Sequence, residues 1–515
     1  MHSVQHNTAS RLVAHRDARG AQLAIADEER RLDYRQLDDR ISRCAALLAA
    51  AGVVRGDRVA LVLGNRSAYL ETVMAAARLA AIATPLNARL TAPELRGLLA
   101  DATPRVLIHE DGDAERMQDA CRELAAPPQR IACGGSASEY ERRLAGAEPR
   151  HAIEPVSPDD PMLLMYTSGT TGTPKGALLP HRKTLYNSLN AEAFFSLTSQ
   201  DRVLVILPLF HSFGLKILAL PALLAGASVF LHAHFDPARV WRSVAAERIS
   251  FFGAVPTQLA ALREALEAPG AGPFDLRSLR FVFGAGAAVP ADLIRAFERH
   301  GLVLQQGFGQ TETSILCCLD ARDAVRKAGS VGRPVTHAEV RVVTLASVEG
   351  EPSAWRDAAT GETGEIVVRG PITMLGYWNN PEATAQTLRG DWLRTGDLAT
   401  RDEEGFLTLV GRARHMYISG GENVYPAEIE RVYAEHPAVR EIAVVGVPDP
   451  KWGEVGCAYV VPAPGARIEE DALREWGSQR LARFKLPKRF VEVAELPRTE
   501  TGKVQKHRLA RRPGS

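Results

Sequence analysis

Cysteine is scarce in this chain. Six occur in 515 residues: Cys44, Cys121, Cys133, Cys317, Cys318 and Cys457. None forms a C-x-x-C pair, and no neighbouring histidines complete a zinc pattern. So few thiols in so long a chain indicate a reduced, cytoplasmic protein. The adjacent Cys317 and Cys318 are expected to serve as small apolar residues. Charge of one sign is equally lacking, since 62 Lys and Arg against 61 Asp and Glu leave a net +1. That balance gives no electrostatic case for nucleic acid or an anionic membrane surface as partner. Long apolar runs are also missing. The most apolar stretch, ILALPALLAGASVFL (217–231), is shorter than the roughly 20 residues of a membrane span and carries a proline and a glycine. It is expected to be a buried helix followed by a strand. The N-terminal MHSVQHNTASRLVAHRD has no apolar core, so it does not read as a signal peptide. No internal repeat or low-complexity tract is visible.

What is present suits a globular chain of more than one domain, with 46% hydrophobic and 24% charged residues. RVALVLGN (58–65), RVLIHE (105–110), RVLVILP (202–208), ASVFLHA (227–233) and LRFVFGAG (279–286) read as buried strands. Helices lie between them. Leu37, Ile41, Cys44 and Leu48 recur at helical spacing, and Asp292–His300 runs into Gly301 as a C-cap. Strands alternating with helices predict α/β layers with a largely parallel sheet. Polar or Pro/Gly-rich joints are expected at 126–161, 268–275 and 349–364. The last hundred residues change character. There EIAVVGVPD (441–449) and RFVEVAELP (489–497) predict strands of a compact basic unit, with a boundary near 411–430.

One stretch concentrates chemistry: YTSGTTGTPKGA (166–177). A glycine-rich loop aims several backbone N–H groups at one anion, hydroxyls add donors, and lysine supplies a point charge. The preceding apolar MLLMY anchors it as a strand, so a polyphosphate cradle is expected. It is not a P-loop, because Lys175 precedes Gly176 rather than following the last glycine. GAGAAV (284–289) lacks the third glycine of a Rossmann fingerprint, and no G-x-S-x-G elbow surrounds Ser168 or Ser212.

YTSGTTGTPKG resembles the signature of the adenylate-forming superfamily, which holds acyl-CoA synthetases, peptide-synthetase adenylation domains and firefly luciferase. The likeness continues in order through LPLFHSFGL (207–215), QGFGQTET (306–313), GYWNNPEAT (376–384), RTGD (394–397), GRARHMYISGGENVYPAEIE (411–430) and PRTETGKVQK (497–506). The fold this implies is α/β, with a large multi-subdomain N-terminal domain (1–411), a hinge (412–414) and a small mobile α+β C-terminal domain (415–515). The implied reaction has two halves. A carboxylate attacks the α-phosphate of ATP, giving acyl-adenylate and pyrophosphate; a thiol, usually that of coenzyme A, then displaces AMP.

The resemblance also assigns residues. Thr167, Ser168, Gly169, Thr170, Thr171, Gly172 and Lys175 would hold the β- and γ-phosphates. Glu312 would bind Mg²⁺, a hard cation that takes carboxylate and phosphate oxygens. Thr311 would donate to the α-phosphate. Gly307, Phe308 and Gly309 suit a flat adenine, with Gly286 and Ala287 beside the nucleotide. Asp397 is an acceptor for two ribose hydroxyls, and Arg412 would donate to the same sugar. Lys503 would bridge the carboxylate substrate and the α-phosphate during adenylation. Rotation of the C-terminal domain would then withdraw Lys503 and present Gly420 and Gly421 to the thiol channel. Arg414 falls at the hinge position, where aspartate or lysine is usual; the next residue, commonly acidic, is His415, read as exposed.

On the acyl side, His211 matches an aromatic or histidine gate near the carboxylate. Phe213 and Ile217 lie four apart and share one face of a helix, with Val255 and Ala285 as further wall; Ala285 stands where glycine is usual. Lys216 lies about 60° from Phe213 on an α-helical wheel. It is expected to point away from the pocket, leaving that pocket apolar. QGFGQTE lacks the arginine of malonate-activating relatives, which argues against a small dicarboxylate. A medium or long fatty acid, or an aryl acid, is the implied substrate. Trp452 and Lys485 match positions that contact coenzyme A in some relatives. No carrier-protein segment follows Lys503 before the chain ends twelve residues later. The expectation is an ATP-, Mg²⁺- and CoA-dependent acid–CoA ligase with a small-molecule carboxylic acid as substrate, no nucleic-acid partner, no membrane span and room for a homodimer. The alternatives are a free-standing acyl-AMP ligase that loads a carrier protein, and a catalytically silent nucleotide-binding homologue.

Overall fold

The computed structural model describes residues 3–167, 174–269, 274–287, 289–419, 422–499 and 502–509. They fall into two compact units. The first comprises Met1–Glu339 and Val368–Leu393; the second comprises Val340–Val367 and Arg394–Ser515.

The first unit is built on two large sheets. A seven-stranded sheet runs in the order Gly376–Tyr377, Lys175–Pro180, Pro161–Thr167, Ile82–Pro85, Arg58–Val62, Val106–Glu110 and Gln129–Cys133. The last five strands are parallel; the first two joints are antiparallel. A nine-stranded sheet runs from Arg333–Pro334 through Ser314–Leu319, Leu304–Gln310, Phe281–Gly284, Phe251–Ala254, Arg202–Val205, Ser228–Leu231 and Leu23–Ala26 to Arg31–Asp33. Its centre is parallel and its margins are antiparallel hairpins. Parallel strands covered by helices on both faces must be apolar at every position, and the predicted runs are those strands. The helix Tyr34–Ala50, whose buried stripe includes Leu37, Ile41, Cys44 and Leu48, starts at a capping box of Asp33 and Gln36.

Alternation along Phe251–Ala254 shows how the nine-stranded sheet serves two cores. Phe252 packs edge-on against Trp241 on one face, with ring centroids 5.8 Å apart. Phe251 packs with Phe281 (4.8 Å) and Phe195 (5.3 Å) on the other. Phe283 continues that second face, meeting Phe195 at 4.9 Å and Phe213 at 5.8 Å. Each such pair contributes about 0.5–1.5 kcal/mol beyond area burial. Glycine makes the approach feasible: a Cβ on Gly253 would lie 2.7 Å from the Phe213 ring, and one on Gly307 would lie 2.4 Å from that of Phe283.

The second unit is α+β. Strands Glu339–Thr344, Gly364–Arg369, Trp392–Arg401 and Leu407–Arg412 form one of its sheets. Another runs Glu422–Val424, Tyr417–Ser419, Gly453–Pro462 and Val439–Asp449, with Arg489–Glu492 beside Gly453–Pro462 and helices Pro426–Ala434 and Glu470–Ser478. The α/β class and both C-terminal strands are as expected.

Three local expectations need correction. The 126–161 joint contains a strand, Gln129–Cys133, and a helix, Glu139–Gly146, capped by Ser138. Phe213–Ala219 is a π-helix, not an α-helix, and Leu220 N–H bonds the Leu215 carbonyl five residues back. The cause lies just beyond: Pro221 has no N–H and its ring crowds the preceding turn. His415 is half-buried, rather than exposed, and makes an interaction of its own. All six cysteines are buried and free. No described helix is long and apolar enough to cross a membrane.

Candidate active site

The glycine loop is closed at its base by two adjoining strands. Thr167 and Lys175 face each other across the Pro161–Thr167/Lys175–Pro180 pair, and Thr167 Oγ1 donates to the Lys175 carbonyl at 3.3 Å. Ser168, Gly169, Thr170, Thr171 and Gly172 lie outside the described residues. Gly176 leaves no room for a side chain, because a Cβ would stand 2.8 Å from Leu164. Its carbonyl instead accepts from Trp378 N–H at 2.7 Å.

That bond brings Tyr377 to the loop. Lys175 Nζ lies 5.3 Å from the centre of the Tyr377 ring. On the other side, Tyr377 O–H donates to Glu312 Oε1 at 2.9 Å. Two predicted residues, Lys175 and Glu312, thus flank one tyrosine that the sequence reading quoted in GYWNNPEAT but gave no role. Glu312 sits at the tip of the hairpin formed by Leu304–Gln310 and Ser314–Leu319. Its own carbonyl accepts from Met374 N–H at 2.9 Å. Among the described residues no Lys or Arg is within ion-pair reach of Glu312, so its carboxylate is open to a cation. One carboxylate beside a phosphate loop is a donor set that suits Mg²⁺, which keeps few protein ligands. Among the described residues no group of three His, Cys, Asp or Glu forms a cage. Thr311, beside Glu312, is half-buried.

Below the tip the hairpin is tight. Gly307, Phe308 and Gly309 pair with Cys318, Cys317 and Ile315. A Cβ on Gly309 would lie 1.9 Å from the Ser314 carbonyl oxygen. Gly309→Ala is expected to force the strands apart, costing about 1–3 kcal/mol or more. A lowered thermal unfolding midpoint together with lost pyrophosphate release would register it. Gly286 (φ +88°) and Ala287 are exposed, and Ala285 and Val255 are half-buried. His211 is half-buried, and its Nδ1 accepts from Phe213 N–H at 3.3 Å. Phe213 and Ile217 are buried.

Lys216 does not point out to solvent or leave a purely apolar surround. It is 1% exposed, and its Nζ donates to Ser314 Oγ at 3.3 Å. Lys183, fully buried on helix His181–Phe195, donates to the same Oγ at 2.8 Å and to the Ile372 carbonyl. The π-turn swings Lys216 inward, where this hydroxyl satisfies it. Burial pushes the Lys216 ammonium down to about 7. It lowers Lys183 well below the usual lysine value, with the neighbouring Lys216 adding to the effect and Glu312 opposing it. Nothing in the sequence marks either lysine as a partner of the Glu312 hairpin, because a polar position on a helix looks like part of a solvated face.

In the second unit, Asp397 and Arg412 are cross-strand neighbours. Arg412 Nε lies 2.8 Å from Asp397 Oδ1, so the arginine fork orients the carboxylate. Asp397 is 5% exposed, and its N–H donates to Thr395 Oγ1, which itself donates to the Ile366 carbonyl. Lys503 is exposed, in a turn where Thr499 N–H donates to its carbonyl and its N–H to Thr499 Oγ1. Trp452 is 41% exposed with Lys451 Nζ 5.0 Å from its ring centre. Lys485 binds both carboxylate oxygens of Glu428, at 2.7 and 2.8 Å. Gly420 and Gly421 lie outside the described residues, as does the Arg414 side chain.

Known proteins resemble this chain over nearly its whole length. Residues 13–378 match the model of the AMP-binding enzyme family, and residues 428–503 match that of the AMP-binding enzyme C-terminal domain. A feruloyl-CoA synthase from Amycolatopsis sp is 44% identical, covering 94% of either chain. An indoleacetate–CoA ligase from Aromatoleum aromaticum is 42% identical over 94% of this chain and 93% of its own. The crystal structure of ATP-bound MatB from Rhodopseudomonas palustris superposes with a TM-score of 0.89 at 31% identity, covering 98% of both chains. With both family models matched in sequence order and relatives above 40% identity over nearly the whole length, this chain belongs to the AMP-binding, adenylate-forming enzyme superfamily and is an AMP-forming acid–thiol ligase.

Proposed function

We propose that the chain is an ATP- and Mg²⁺-dependent acid–CoA ligase whose acid is an aryl acid. The observation that carries the ATP half is the convergence of Lys175 and Glu312 on Tyr377. It sets a phosphate-binding cation and a metal-binding carboxylate on two sides of one ring. Lys175 would hold the pyrophosphate oxygens and Glu312 the Mg²⁺, which supplies charge neutralisation when bound. Thr311 would donate to the α-phosphate, and Asp397, oriented by Arg412, would accept from the ribose hydroxyls. Catalysis of this kind rests on positioning and on stabilising charge that develops in the transition state. Lys503 would stabilise the pentavalent α-phosphate and then be withdrawn by rotation of residues 415–515 about a hinge at 412–414. Gly420, Gly421, Trp452 and Lys485 would serve the thiol. Lys485 would have to leave Glu428 to do so.

The aryl reading is supported by the flat, aromatic surround of Phe213, edge-on to Phe283 at 90°, and by the names of the two relatives above. His211 would gate the carboxylate, with Ile217, Val255 and Ala285 as walls. Six buried thiols suit the reducing cytoplasm. The test is pyrophosphate release with ATP and Mg²⁺ across C2 to C16 fatty, aryl and dicarboxylic acids, with and without coenzyme A. Multiple turnovers that need both an aryl acid and coenzyme A are expected. Release that stalls near one equivalent despite coenzyme A would point to a carrier protein as acceptor; turnover with fatty acids alone would overturn the aryl reading.

A further inference from the structure

The Lys183–Lys216 pair is costly and needs a reason. Two lysine side chains lie buried with their amino groups on one serine hydroxyl, and no carboxylate is in ion-pair contact with them among the described residues. Taking an amine out of water costs free energy whether it keeps its charge or gives up its proton, unless hydrogen bonds offset the loss. What they hold is the hairpin that carries Glu312. Ser314 is two residues beyond Glu312 and takes φ +62°, a left-handed backbone that a non-glycine residue rarely adopts. Its Oγ is fixed by both lysines. Lys183 also donates to the Ile372 carbonyl. The segment that Ile372 begins reaches back to Glu312, through Met374 N–H to its carbonyl and Tyr377 O–H to its carboxylate. The contacts form a ring from Glu312 to Ser314, Lys183, Ile372, Tyr377 and back. Asn187, one helical turn after Lys183, completes the frame. Its Oδ1 accepts from Ile315 N–H at 3.2 Å, and its Nδ2 donates to the Lys216 carbonyl at 2.6 Å.

We infer that Lys183 and Lys216 are positioning residues that fix the metal-binding carboxylate of Glu312, acting through Ser314 and the 372–377 segment. Lys216 adds a second tie. It lies between Phe213 and Ile217 on the π-helix, so it links that helix to the same hairpin. This rests on the reading of Glu312 as the Mg²⁺ ligand.

The test uses the full-length chain with Lys183→Met, Lys216→Met, Ser314→Ala and Glu312→Gln, each checked for native circular dichroism and unfolding midpoint. Two quantities are read: the Mg²⁺ concentration for half-maximal acid-dependent pyrophosphate exchange, and Mn²⁺ affinity by electron paramagnetic resonance with a non-hydrolysable ATP analogue. Removing groups that orient a metal ligand typically weakens metal affinity about 10–100-fold. Lys183→Met and Ser314→Ala are expected to fall in that range while the KM for the acid moves far less. Lys183→Gln, which keeps a donor, should recover part of the loss. Where Lys183→Met does not fold, Ser314→Ala and Lys216→Met carry the measurement. Wild-type metal affinity in Glu312→Gln would overturn the metal reading and the clamp with it. A shift in Glu312→Gln without one in the folded lysine and serine variants would overturn the clamp alone. So would equal losses in every kinetic constant that track the unfolding midpoint.

Discussion

Lys503→Ala is expected to abolish acyl-adenylate formation yet largely spare thioester formation from supplied acyl-adenylate. The residue is exposed, so truncating its side chain leaves no buried cavity. Loss of a group that stabilises transition-state charge costs about 2.7–4 kcal/mol, or roughly 10²–10³ in rate. The loss should appear in the adenylation rate and not in the KM for ATP, because the interaction is made chiefly when the α-phosphate is pentavalent. The two half-reactions are measured separately: pyrophosphate exchange for the first, and acyl-CoA from synthetic acyl-AMP for the second. Equal loss in both would contradict the assigned role.

Asp397→Ala should behave oppositely, damaging both halves together. The carboxylate is nearly buried and held by the Arg412 fork, and the proposed role has it accept two hydroxyls of a ribose present in ATP and in acyl-AMP alike. A hydrogen bond to a charged group contributes about 1.5–3 kcal/mol, so the KM for ATP should rise roughly 10–100-fold. Acyl-AMP affinity should fall by a similar factor. Titrating each nucleotide against tryptophan fluorescence would separate this from the Lys503 effect; unchanged acyl-AMP affinity would remove Asp397 from the sugar.

Much of the scaffold was legible in the sequence, for a physical reason. Strands such as RVALV and RVLV lie between helices and are apolar and buried at every position after the leading arginine, and such runs stand out. The family was legible because the glycine-rich stretch and the later motifs resemble its signatures in order along the chain. The interior polar frame was not. Lys183 and Asn187 recur at the spacing of an exposed helical stripe, and only the shared Ser314 hydroxyl shows that this stripe faces inward. The burial of Lys216 against Ser314 was not legible, because a wheel of 100° per residue assumes an α-helix, whereas Pro221 widens the turn before it. Tyr377 lay within a quoted motif, but its two contacts join segments far apart in the chain. Such pairings depend on topology rather than on local pattern.

The short strand Gly376–Tyr377 has a consequence for synthesis of the chain. It covers the edge of Lys175–Pro180, pairing Gly376 with Leu178 and Tyr377 with Ala177. A ribosome adding 5–20 residues per second needs roughly 10–40 s to pass from residue 180 to residue 376. Throughout that interval the nascent chain carries an uncapped edge, KGALLP. Open edges of this kind invite pairing with a second chain. Slow translation or a truncated message ending before residue 376 would therefore favour aggregation, and a chaperone that shields sheet edges would matter more for this protein than its final stability suggests.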